Sequence, residues 1–312
     1  MEIKPSKNRY LFGMNNFFNE ISNLYNEKKM PTKILLSGKK GLGKSTLAYH
    51  LINYIFSENE EYQYNVNSYI INEKNKSFKL LQNNSHPNFY LIDLLNDKKN
   101  IDVSQIREMI SYTNKSAFNN MARLILIDNI ENLNKNSVNA LLKIIEEPNE
   151  NIFFILINNS EKKILPTLKS RCLTFKINFT FDESINVSNQ ILNQNIFDLM
   201  SLDLFNYYNT PGDIINLINF SKQKKINLND YTIVDFLNLL IENGYYKKDR
   251  YIKNLLINYI ELFFLKQCII NSHKNLIFSF YYNFMNKISN AEKFNLDDES
   301  LFLEFKSKLL NG

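Results

Sequence analysis

The stretch KILLSGKKGLGKSTLAYHLINYIF, Lys33 to Phe56, decides the fold. An apolar run leads into a loop holding three of the chain's seven glycines, and a helical pattern follows. Within it Gly38, Lys39, Lys40, Gly41, Leu42, Gly43, Lys44, Ser45 and Thr46 satisfy the phosphate-loop spacing G-x-x-x-x-G-K-[ST]. The order strand, loop, helix turns backbone N–H groups and a helix N-terminus onto one point, which suits phosphate oxygens. Lys44 is placed to neutralise the β and γ oxygens, and the Ser45 hydroxyl to hold Mg²⁺. The expected ligand is therefore ATP with magnesium.

Working outward, four more short apolar runs read as strands: Phe89 to Ile92, Arg123 to Ile127, Ile152 to Ile157 and Thr174 to Ile177. Several are continuous rather than alternating, as in strands covered on both faces by helices, so a parallel five-stranded α/β sheet is expected. Between the third and fourth runs of the chain, NSVNALLKIIEEP places Val138, Leu141, Leu142 and Ile145 at helical spacing. Asn136 or Ser137 is expected to cap this helix and Pro148 to end it. Residues 57–88 are polar, Asn-rich and weakly patterned, and read as an irregular insertion. Beyond about residue 180 strand-like runs stop and the sequence becomes helical, rich in Phe, Tyr and Leu. The expected division is 1–178 for the nucleotide domain, 179–224 for a small helical unit and 225–312 for a final helical block.

A nucleotide fold of this kind needs a second acidic group at a strand end, and LILID supplies Asp128 as the partner of Ser45 for Mg²⁺. The next residue is Asn129, where many ATPases carry a Glu that polarises water. An amide cannot act as a base, so the expectation is a chain that binds nucleotide and hydrolyses it poorly. Glu131 stands two residues further on and is the alternative carboxylate. Ser170-Arg171-Cys172 precedes the last strand, and the planar fork of Arg171 suits a phosphate bidentately. On these residues alone a surface ion pair is an equally good reading of Arg171.

Composition narrows the remaining classes. There are 51 asparagines, about one residue in six, and no Trp, which reads as AT-rich codon drift and makes surface composition weak evidence. The net charge of +5 (37 basic, 32 acidic) permits a nucleic-acid partner without requiring one. Cys172 and Cys268 cannot build a disulfide framework or a four-thiolate zinc site, and a cytoplasmic location is expected. The start lacks the apolar core of a signal peptide, and no stretch reaches 18 uninterrupted apolar residues, so no membrane role is expected. His50 and His273 fall in helical patterns as packing residues, His86 precedes Pro87 in an extended turn, and Cys172 reads as a small buried hydrophobe.

The ordered set LFG (Leu11 to Gly13), GKKGLGKSTLA, HPNFYLID (His86 to Asp93), IDVSQIREM (Ile101 to Met109), LILIDNIENLNKNSVNALLKIIEEP and ILPTLKSRC resembles the AAA+ clamp-loader family, and within it the delta-prime subunits of the bacterial DNA polymerase III clamp loader. The likeness covers roughly residues 11 to 220. It implies a RecA-like AAA+ domain, a helical lid and an all-α collar that assembles a subunit ring. It also implies that Arg171 is a finger reaching a neighbour's ATP, and that Asn159 or Ser160 is the sensor of the γ-phosphate. Implied partners are the delta and gamma/tau subunits, the sliding clamp and, through the assembled complex, primed DNA. Asn129, the cysteine-free insertion and Asp213 at an otherwise basic lid position depart from the motor subunits. A stator role follows, with a gamma/tau-type motor ATPase as the alternative.

Overall fold

The computed structural model describes residues 4–95, 98–115, 121–146, 151–160, 163–247, 249–270, 274–294 and 296–310. Pro148 and His273 lie outside the described residues. The chain runs α1 (Asn15–Asn26), β1 (Lys33–Ser37), α2 (Lys44–Phe56), α3 (Lys76–Gln82), β2 (Phe89–Ile92), α4 (Val103–Thr113), β3 (Arg123–Ile127), α5 (Lys135–Glu146), β4 (Ile152–Asn158), α6 (Pro166–Lys169) and β5 (Leu173–Lys176). Helices α7 (Phe181–Leu192), α8 (Pro211–Lys224), α9 (Ile233–Glu242), α10 (Arg250–Ile270), α11 (Lys274–Phe294) and α12 (Glu299–Phe305) follow.

The five strands form one sheet in the order β2-β3-β4-β1-β5, and every pairing is parallel. Register pairs Leu35 with both Leu156 and Thr174, and Ile125 with both Leu91's neighbour Tyr90 and Phe154. The period of two in a strand then sorts the side chains onto two faces. Leu36, Leu124, Leu126, Ile155, Ile157 and Phe175 pack with α1 and α2 residues such as Phe18, Leu47 and Ile52. Leu35, Ile125, Ile127, Phe154 and Leu156 pack on the other face with Ile106 and Met109 of α4 and Leu141 and Ile145 of α5. Both faces are covered, which is why the strands read as continuous apolar runs.

The structure corrects several local expectations. The fourth strand runs one residue further, to Asn158, and the last is Leu173–Lys176. The start of α5 is capped by Asn134, whose Oδ1 accepts from the Ser137 backbone at 2.8 Å and from its hydroxyl at 3.0 Å; Ser137 Oγ also lies 2.9 Å from the carbonyl of Ile101. The segment 57–88 is not an unpacked insertion. It contains α3, capped by Asn75 on Phe78 at 2.6 Å, and buries Tyr64, Ile71, Phe78 and Leu81 in the same core as α2. Asparagine here is a turn and cap residue, so a polar composition concealed a packed segment.

The chain divides into two compact units, one of Met1–Asn193 with Asn209–Leu217 and one of Gln194–Tyr208 with Ile218–Gly312. The second unit is helical and built on aromatic contacts, among them Phe236 on Tyr259 at 4.9 Å and Phe284 on Phe305 at 5.2 Å. Among the described residues no helix is long and apolar enough to cross a membrane.

Candidate nucleotide site

The sheet geometry brings the motifs together. β1 is flanked by β4 and β5, and its end turns through Gly38–Gly43 into α2. Gly38 is held back against the sheet: its N–H bonds the Asn158 carbonyl at 3.2 Å, and a Cβ there would lie 2.2 Å from the carbonyl oxygen of Ile177. Gly41 and Gly43 take φ of +84° and +91°, a region open to glycine at no steric cost. These are the positions that explain why a glycine-poor chain spends three in one loop.

A cleft of about 460 Å³ opens over the loop. Its polar wall is Lys40 to Thr46, Asp128, Asn129 and Asn159; its apolar wall includes Tyr10, Phe12, Val187, Ile191 and Ile215. Lys39 contributes its carbonyl, which accepts from Lys44 Nζ at 2.5 Å, and Lys44 is 2% exposed. Leu42 lines the cleft while also belonging to the core. Ser45 Oγ donates to Asp128 Oδ2, so the two groups expected to share a cation lie in contact. Asp128 is held above the usual carboxylate range, chiefly by desolvation; the Ser45 hydrogen bond opposes this, nearby Asp93 adds to it, and Lys44 works against it. A desolvated carboxylate beside a hydroxyl is a donor pair that a divalent cation would stabilise.

Asn129 adopts the left-handed backbone (φ 56°, ψ 42°), and its side chain donates to Asp93 Oδ1 at 2.7 Å and accepts from Asn159 Nδ2 at 2.8 Å. Glu131 does not line the cleft. It is 8% exposed, with Oε2 accepting the Asn159 backbone N–H at 3.2 Å. Ser160 has a φ of 60°, and its N–H bonds Asn158 Oδ1 at 3.0 Å. Of the two sensor candidates Asn159 is the one on the cleft wall.

Asp213 is also reassigned. Its Oδ2 accepts from the Thr210 backbone and hydroxyl at 3.0 and 2.8 Å, and its own N–H reaches Thr210 Oγ1 at 3.3 Å. It is a cap for α8 and does not face the cleft; Pro211, Gly212, Ile215 and Asn216 do. Gly212 donates to the Gly41 carbonyl at 2.9 Å.

Arg171 lies outside the cleft, after α6. Its guanidinium pairs with Glu146 Oε1 at 2.7 Å and donates to the Thr167 carbonyl at 2.8 Å. Cys172 is half-buried, with its thiol pushed up to about 11 mainly by desolvation, which fits a packing role. His50 and His86 are buried and neutral, each held at about 4 by desolvation, and His86 stacks on Phe56 at 4.0 Å. Among the described residues there is no cluster of three metal-ligating side chains.

The apolar wall was not identified from sequence as part of the site. Its residues come from the N-terminal segment, α7 and α8, and only the LFG motif hinted at two of them, Leu11 and Phe12.

Comparison with known proteins places this geometry. Residues 13–180 match the family model described as DNA polymerase III, delta subunit. The chain is 31% identical over 244 residues to the DNA polymerase III subunit gamma of Buchnera aphidicola subsp. Schizaphis graminum, covering 73% of this chain and 63% of that protein. It is 30% identical over 195 residues to the subunit delta' of the same organism (59% and 55%), and 30% identical over 139 residues to that of Pseudomonas aeruginosa (45% and 40%). The matches thus span about two fifths to two thirds of these relatives' lengths. Among solved structures, a DNA polymerase III gamma subunit-related protein of Thermotoga maritima superposes with a TM-score of 0.50 at 15% identity, over 92% of this chain and 97% of that one, and so shares the fold. Together with the five-stranded parallel sheet and its phosphate loop, the match over more than half the chain shows that it belongs to the DNA polymerase III delta-subunit family of the AAA+ clamp loaders.

Proposed function

We propose that this chain is a stator subunit of the delta-prime type in a DNA polymerase III clamp loader, where it helps to place a sliding clamp on primed DNA. In this reading the cleft binds ATP with Mg²⁺ but turns it over poorly. Lys44 and the loop amides hold the phosphates, Ser45 and Asp128 hold the cation, and Asn159 meets the γ-phosphate. The cation would neutralise charge on the β and γ oxygens. Arg171 acts in trans on a neighbouring motor subunit, where such a finger is worth roughly 10³ to 10⁵ in rate. The lid of 179–224 and collar of 225–312 are proposed as functional divisions of the helical half, with the delta and gamma/tau subunits as partners. DNA is met through phosphate contacts in the assembled complex, which makes binding salt-dependent and independent of sequence.

One observation carries the reading: at the position beside Asp128 the side chain is an amide engaged on both sides, while Arg171 is not among the residues lining its own cleft. Glu131, the carboxylate a motor would need instead, is engaged with the Asn159 backbone and off the cleft wall. The test is ATP turnover. The purified chain should show little, and Arg171→Ala should cut the DNA-stimulated ATPase of a reconstituted loader while leaving assembly intact. Robust turnover by the isolated chain would sink the stator reading, as would collapse of the loader's ATPase on Lys44→Ala.

A further inference from the structure

Asp93 follows β2, Asn129 follows β3 and Asn159 follows β4, and the parallel register of these three neighbouring strands sets their ends side by side. A relay of side-chain hydrogen bonds crosses them: Asn129 Nδ2 donates to Asp93 Oδ1 at 2.7 Å, and Asn159 Nδ2 donates to Asn129 Oδ1 at 2.8 Å. Its direction is dictated by chemistry. A carboxylate only accepts, so Asn129 must turn its NH₂ to Asp93 and its oxygen onward; Asn159 must then answer with its own NH₂. One hydrogen of Asn159 Nδ2 is used in the relay, and among the described residues the second has no partner. Glu131 fixes the backbone beneath it through the Asn159 N–H. The left-handed backbone at 129 favours Asn over Glu, so the residue that interrupts a catalytic pattern is the one suited to the relay.

We infer that Asp93 is a positioning residue for the phosphate end of the cleft: through Asn129 it turns Asn159 so that an N–H, rather than a carbonyl oxygen, faces the terminal phosphate of a nucleoside triphosphate. The inference rests on the nucleotide reading of the cleft and adds to it a source of preference for tri- over diphosphate. Reversal of the Asn159 amide would set an acceptor against phosphate oxygens, and the preference would be lost.

The experiment measures equilibrium dissociation constants of the full chain for ADP and for a non-hydrolysable ATP analogue, both with Mg²⁺. The wild-type chain should bind the triphosphate more tightly. Asp93→Ala should reduce that ratio roughly tenfold, the loss of about one hydrogen bond to a charged group, with ADP affinity held. Asp93→Asn, which keeps an accepting oxygen, should retain most of the ratio. Asn129→Gly, which keeps the left-handed backbone, breaks the relay one step on and should move the ratio in the same direction, so the test survives an Asp93→Ala chain that folds poorly. Asp93→Ala combined with Asn159→Ala should be no worse than Asn159→Ala alone. Equal weakening of both nucleotides, or an unchanged ratio in Asp93→Ala and Asn129→Gly, overturns the inference while leaving the site itself intact. A wild-type chain that binds neither nucleotide overturns the nucleotide reading instead.

Discussion

Gly212 rests on Gly41: its N–H donates to the Gly41 carbonyl at 2.9 Å, and a Cβ at 212 would lie 2.6 Å from Gly41 Cα. The contact joins the first turn of α8 to the phosphate loop, backbone against backbone, so neither side can give way by changing a rotamer. Gly212→Ala should therefore destabilise the fold by about 1–3 kcal/mol, the usual cost of overpacking. It should also weaken nucleotide binding by displacing the loop. Denaturant titration together with a nucleotide affinity measurement checks both; an alanine accommodated without loss of either would show that the contact is slack.

Arg171 offers a contrast. Its pair with Glu146 is at the surface, with side chains 36% and 51% exposed, and such pairs are worth less than about 1 kcal/mol. Arg171→Ala should leave the denaturation midpoint of the isolated chain nearly unchanged, while on the proposed reading it should lower a loader's ATPase. A large stability loss would assign Arg171 to the fold. A pair this weak holds the guanidinium only loosely.

Acid should destabilise the first unit through His50. Its Nε2 lies 3.2 Å from the Asn8 carbonyl, which can only accept, so Nδ1 accepts from the Tyr64 hydroxyl at 2.9 Å and the ring is neutral. Burial holds it at about 4 against an ordinary value of 6.5. Between those values the unfolded chain takes up a proton that the folded one refuses, so stability falls as pH drops from 6.5 towards 4 and is unaffected above 6.5. The loss approaches about 3 kcal/mol. Urea titrations at pH 7 and 4.5 should show a shallower difference in His50→Gln than in the wild type.

Asp128 lies near a second carboxylate, Asp93, and is half-buried. Asp128→Asn removes a desolvated charge while preserving shape and an acceptor for Ser45. Stability should hold or rise slightly, and the Mg²⁺ dependence of nucleotide binding should disappear. If Mg²⁺ strengthens binding as much in Asp128→Asn as in the wild type, the cation sits elsewhere.

Much of this molecule was legible in sequence because local chemistry wrote it there. The phosphate loop has glycines at 41 and 43 with positive φ; Gly43 stands at a fixed position of the pattern and Gly41 at a free one, legible only as a glycine in a glycine-poor chain. Several of the five strands were readable because a sheet covered on both faces needs uninterrupted apolar runs; the edge strand Leu173–Lys176, with both ends exposed, was legible mainly from its place after the Ser170-Arg171-Cys172 motif. Elsewhere the same alphabet misled. Asn-rich residues 57–88 looked irregular, yet Asn75 caps a helix and Phe78 and Leu81 enter the core, since turn-forming and surface asparagines are indistinguishable without their partners. Asp213 stood at an otherwise basic lid position and proved to share the cap of α8 with Thr210, three residues before it.

What the sequence determined by itself was the loop, the sheet and the family they belong to, because each depends on residues a few positions apart. What only the tertiary structure decided was the meaning of the odd residues. Asn129 read as a missing base; strand order β2-β3-β4 places it between Asp93, 36 residues away, and Asn159, 30 residues away, and makes it a link in a relay. A hydrogen-bond partner is chosen by position in space, and a parallel sheet assembles positions that the chain keeps far apart.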